Sequence, residues 1–92
     1  MPILLTENFL KDANSLSDPE KGQLFSVILK LPAALKEIHS HSGLGLRKIH
    51  SSGIYEARIG LGLRLVFGYD LGKVALHRVG THDEIRRYLK NL

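Results

Sequence analysis

Apolar and polar positions change rhythm midway along the chain. In the first part, apolar residues recur every three or four positions, the spacing of one helix face. Phe9, Leu10, Ala13 and Leu16 form one such stripe, and Leu24, Val27, Ile28 and Leu31 form a second. Ahead of them, Ile3-Leu4-Leu5 reads as a short strand, and Thr6 is placed to cap a helix running to about Leu16. Ser17-Asp18-Pro19 opens the second helix, with a capping side chain and then proline in the first turn. Pro32 is expected to end or bend it. Two helices joined by so few residues are expected to pack antiparallel.

From Leu46 onward the pattern alternates with a period of two. Leu46–His50, Ile54–Ile59, Leu63–Tyr69 and Lys73–Val79 are strand candidates bounded by glycine. Gly53, Gly60-Leu61-Gly62 and Asp70-Leu71-Gly72 mark hairpin turns, so the strands should form an antiparallel meander. Thr81 or Asp83 then opens a last helix, with Ile85, Tyr88, Leu89 and Leu92 on one face and Arg86, Arg87 and Lys90 on the other. The fold class is α+β: an N-terminal helical hairpin packed on a four- to five-stranded, mainly antiparallel sheet, with a short C-terminal helix. At 92 residues the expectation is one domain spanning 1–92.

Strand alternation sorts side chains by face. Tyr55, Ala57, Ile59, Leu63, Leu65 and Phe67 fall on an apolar side suited to the helices. Counting the same way, Lys48, His50, Glu56, Arg58 and Arg64 fall on the other. One face of an antiparallel sheet is often solvated, so the pattern alone proves nothing; what is unusual is a carboxylate, an imidazole and three cations so close together.

Charge sharpens this picture. The chain carries +4, yet residues 1–46 are slightly acidic and every arginine lies beyond them: Arg47, Arg58, Arg64, Arg78, Arg86 and Arg87. Such asymmetry fits a surface facing a polyanion and equally a basic protein with no such partner. There is no cysteine, so disulfides and zinc–thiolate sites are excluded. His39-x-His41 has no third ligand nearby, and the glycines of Gly43-Leu44-Gly45 and Gly60-Leu61-Gly62 read as turns. No metal or cofactor is expected. No apolar run reaches the roughly 18 residues of a membrane span, and the N-terminus lacks a signal-peptide pattern, so no membrane partner and a cytoplasmic location are expected.

Three segments carry a family resemblance. Gly53-Ile54-Tyr55-Glu56-Ala57-Arg58-Ile59, Gly62-Leu63-Arg64-Leu65-Val66-Phe67 and Val79-Gly80-Thr81-His82-Asp83-Glu84, behind a helical hairpin, resemble the RelE/ParE superfamily of toxins from prokaryotic type II toxin–antitoxin systems. The resemblance implies a RelE-like fold. It also implies an mRNA-cleaving endoribonuclease that acts on the ribosome and inhibits translation. An acidic, partly disordered antitoxin would neutralise it in a toxin–antitoxin hetero-oligomer. The alternative is the ParE branch, a gyrase-poisoning binding toxin without ribonuclease chemistry. A third reading is an inactive member that only binds its partner.

The resemblance also implies roles. RNA cleavage by the substrate's own 2′-hydroxyl needs a base, cations at the phosphorane and an acid for the leaving oxygen. Arg64 and Arg58 match the cations, because a guanidinium presents paired donors to phosphate. His82 matches the acid, since an imidazole exchanges protons near neutrality. Glu56 stands where the family has a lysine, so it is either a base or an ion-pair partner; His50 and Lys48 are the other candidates for the base. Tyr88 is placed either to stack on a nucleobase or to pack with Ile85 and Leu89. Arg47, Lys48, His50 and Arg58 are candidate RNA contacts beside the catalytic candidates Arg64, His82, Glu56 and Tyr88.

Overall fold

A computed structural model describes residues 1–36, 43–50 and 52–92. Its elements are β1 (Ile3–Leu5), α1 (Glu7–Asn14), α2 (Asp18–Lys36), β2 (Arg47–His50), β3 (Ile54–Ile59), β4 (Leu63–Asp70), β5 (Lys73–Thr81) and α3 (His82–Lys90). The strands form one sheet in the order β1-β5-β4-β3-β2, with β1 parallel to β5 and all other pairs antiparallel. This is the α+β arrangement expected, with the short first strand filling the fifth place. His39 and His41 lie outside the described residues.

Local chemistry accounts for the ends of the elements. Thr6 caps α1 by accepting a hydrogen bond from the Phe9 N–H. Thr81 and Glu84 close a reciprocal capping box at the start of α3. The β4–β5 hairpin closes at the Asp70–Lys73 pair over Leu71 and Gly72, both at positive φ (50° and 74°). That is a two-residue turn whose twist matches the strands. It lengthens β4 by one residue over the alternation pattern. At the other end, Gly80 and Thr81 still pair with Arg64 and Leu63, which lengthens β5.

Pro32 does not end α2, which continues to Lys36. The proline forfeits one backbone hydrogen bond. Leu31, Ala34 and Leu35 are buried on both sides of it, and burial of each leucine is worth about 1.5–3 kcal/mol. Packing therefore outweighs the local break.

The core lies between α1, α2 and one face of the sheet. Phe9, Leu24, Val27, Leu31 and Leu35 from the helices join Ala57, Ile59, Leu65, Phe67, Leu76 and Val79 from the strands. Tyr55 and Phe67 stack across β3 and β4 with centroids 5.8 Å apart. On the opposite face α3 meets β4 and β5, and Val66 and Ile85 are buried outside the main core. The polar face is thus covered at one end and open at the other.

The free edge of β5 is closed by a helix. β1 pairs only with Val74–Leu76. Beyond it the Thr6 hydroxyl donates to the Leu76 and His77 carbonyls, and Asp12 accepts from the Val79 N–H at 3.1 Å. Asp12 also takes two hydrogen bonds from Arg78, at 2.7 and 3.0 Å. These bonds satisfy backbone groups that an edge strand otherwise leaves open.

Candidate functional site

Register decides which charged residues meet. Arg47 pairs with Glu56, Glu56 with Val66 and Arg58 with Arg64. Directly paired residues share a face, so Arg47, Glu56, Arg58 and Arg64 stand together on the face away from α1 and α2. Thr81 ends β5 beside Leu63, and the capping box turns the chain into α3 there. His82, the first residue of that helix, therefore reaches the same place. Gly45, Leu46, Arg47, Glu56, Arg58, Arg64 and His82 line one open depression.

Glu56 is the buried charge of this group, 8% exposed. One of its carboxylate oxygens, Oε1, lies 3.7 Å from Arg64 Nε and 3.7 Å from Arg47 Nη2. Both distances exceed hydrogen-bond length, so these are ion pairs without a direct hydrogen bond. The Arg64 side chain is mostly covered and donates at 3.0 Å to the Leu63 carbonyl, whereas the Arg47 side chain is 69% exposed. Arg58 is exposed and, among the described residues, no carboxylate lies within ion-pair distance of it. The depression therefore holds three guanidiniums, one carboxylate and one imidazole.

The register corrects the alternation count for Lys48. It pairs with Tyr55, which belongs to the core-facing side, and so falls on the opposite face from Glu56 and Arg64. A bulge between Lys48 and His50 breaks the simple count. His50 pairs in register with Ile54; its side chain lies outside the described set. Arg47, which pairs with Glu56, is the β2 residue that stands beside it.

Tyr88 belongs to a different group. Its ring lies under the Arg78 guanidinium, 5.5 Å from Cζ to the centroid. Arg78, Glu84, Arg87, Tyr88 and Asn91 line a second depression along α3. Asp12 holds the Arg78 charge through its hydrogen bonds, raising the guanidinium further above its ordinary range. Glu84 is held below the usual carboxylate range by the Thr81 backbone and hydroxyl bonds of the capping box. The Asp12–Arg78 pair joins residues far apart in sequence and has no local motif.

Comparison with solved structures places this arrangement among known folds. The chain superposes on the crystal structure of YafQ from Escherichia coli strain BL21(DE3) with a TM-score of 0.73 at 16% identity, covering 90% of this chain and 94% of that one. It is similar to the toxin–antitoxin complex RelB-RelE from Methanococcus jannaschii, with a TM-score of 0.62 at 19% identity, covering 92% and 96%. A copper-bound mutant toxin from Helicobacter pylori matches with a TM-score of 0.68 at 23% identity, covering 92% and 98%. No protein-family profile matches the sequence, and no curated protein sequence matches it significantly. The chain has the RelE/YafQ-like fold.

Proposed function

We propose that this chain is the toxin of a type II toxin–antitoxin system and a metal-independent endoribonuclease that cuts mRNA on the ribosome. The observation that carries the reading is the Arg58–Arg64 pair. Like charges directly opposite across a ladder are destabilising. Here they share a depression with Glu56 and His82, and among the described residues Glu56 is the one carboxylate lining it. A phosphodiester supplies the missing negative charge. The fold shared with toxins and toxin–antitoxin complexes supports the same reading and an antitoxin as partner.

In this mechanism Arg64, with Arg58 and Arg47, holds the scissile phosphate. Glu56 takes the proton of the substrate's 2′-hydroxyl, whose oxygen attacks phosphorus. His82 gives a proton to the departing 5′-oxygen as the P–O5′ bond breaks. The products are a 2′,3′-cyclic phosphate and a 5′-hydroxyl end. Charge on the phosphorane is met by guanidiniums already in place. Tyr88, in its own depression beside Arg78, serves as an outer contact to RNA, and Lys48, on the other face, takes no part. His50, at the bulge beside Ile54, is the remaining RNA contact.

Two assays run side by side test this reading. The purified chain is incubated with programmed ribosomes, and separately with gyrase and plasmid DNA. mRNA cleavage with normal supercoiling supports it. Intact mRNA with blocked supercoiling transfers the chain to the gyrase-poisoning class.

A further inference from the structure

The segment leading into β2 is built around one close contact with β3. Leu44 is buried, and its carbonyl accepts a hydrogen bond from the Arg58 N–H at 2.8 Å. The next residue, Gly45, has φ +61°, in the left-handed region. A Cβ at Gly45 would lie 2.9 Å from Arg58 Nη2 and 3.0 Å from its Cζ, and closer still to Nε. The Arg58 guanidinium therefore occupies the volume that any side chain at position 45 would take. Gly45, Arg58 and Arg64 line the same depression.

An exposed arginine opposite another arginine normally swings into solvent, because its stem is flexible and its neighbour repels it. Arg58 instead has a seat. We propose that Gly45 is a positioning residue: it seats the Arg58 guanidinium beside Arg64, so that both cations are presented together to one phosphate. This deepens the ribonuclease reading and rests on it. Such preorganisation lowers the ordering cost of binding. The displaced atoms are the far end of a flexible side chain, so Gly45→Ala is expected to move Arg58; the backbone strain of a side chain at φ +61° is present with or without Arg58, and the double variant subtracts it.

The test uses the wild type, Gly45→Ala, Arg58→Ala and the double variant. In the unliganded protein, the heteronuclear NOE of the Arg58 Nε–H reads its restraint. It is expected to be high in the wild type and lost in Gly45→Ala. In mRNA cleavage, Gly45→Ala should lower kcat/KM roughly tenfold, chiefly through KM, and should add less than about twofold in the Arg58→Ala background. The same loss in both backgrounds overturns the proposal, because backbone strain at φ +61° then acts without Arg58. An Nε–H as mobile in the wild type as in Gly45→Ala also overturns it. A wild type that cuts no RNA but shows the restraint and its release defeats the ribonuclease reading and leaves the seating of Arg58 standing.

Discussion

Arg58 and Arg64 are direct partners across the β3–β4 ladder, on the same face of the sheet. The pair gives activity and stability opposite demands. Arg58→Ala should raise stability by about 0.5 kcal/mol by removing repulsion, read as a higher urea midpoint, while slowing RNA cleavage roughly tenfold. Arg64→Ala and His82→Ala should each slow cleavage by about a hundredfold, because both act in the transition state. Full cleavage by the last two variants would remove them from the mechanism.

Glu56 separates binding from chemistry. It is a buried negative charge inside a site for a negative ligand. Glu56→Gln keeps the shape and removes the charge. RNA affinity should rise, while kcat falls by about a hundredfold or more if the carboxylate is the base. The measurement is single-turnover kinetics over a range of ribosome-bound mRNA. An unchanged kcat would leave Glu56 only as an ion-pair partner of Arg47 and Arg64.

Asp12 is expected to matter for stability rather than chemistry. Asp12→Ala releases both Arg78 hydrogen bonds and the one from the Val79 N–H. The Arg78 side chain is 35% exposed, so water partly compensates. A loss of about 2 kcal/mol follows, measured by denaturant unfolding with the slope unchanged.

His77 gives the fold an acid-sensitive element. It is the extra residue of the β5 bulge, where Val66 pairs with Arg78 and Phe67 with Leu76, and a Cβ on Gly68 would touch its ring. Burial lowers its pKa from the ordinary 6.5, so the folded state favours the neutral ring. The unfolded chain then binds the proton first as pH falls. This contribution is intact above about pH 6.5 and is lost between there and the lower folded value. His77→Gln should flatten the decline of Tm over that window.

Leu71 offers a stabilising change away from the site. It sits at φ +50° in the β4–β5 turn and is 89% exposed, so it contributes strain and little packing. Leu71→Asn restores the residue pair preferred in such turns and should add about 0.5–1 kcal/mol. Thermal unfolding checks it, and cleavage should not change.

Much of the architecture was legible because local signals agreed. Thr6, Thr81 and the Leu71-Gly72 turn set element boundaries within a residue or two, and alternation along β3 and β4 placed Glu56, Arg58 and Arg64 on one face. What escaped depended on distant partners. Pro32 stays helical because Leu31 and Leu35 find a sheet to pack on. Lys48 changes face because the β2 register carries a bulge that no composition signal marks. The Asp12–Arg78 clamp joins two ends of the chain, and only the fold reveals it. The sequence context of Tyr88 fits packing and RNA contact equally, and the Arg78 guanidinium over its ring is a contact between distant residues that no local pattern signals.

End-group mapping of ribosome-bound mRNA after incubation with the purified chain shows whether the Arg58–Arg64 depression cuts RNA through the 2′-hydroxyl. Discrete cuts bearing a 2′,3′-cyclic phosphate upstream and a 5′-hydroxyl downstream are expected, lost in Arg64→Ala. Intact mRNA, or cuts ending in a 3′-hydroxyl and 5′-phosphate, would contradict that chemistry.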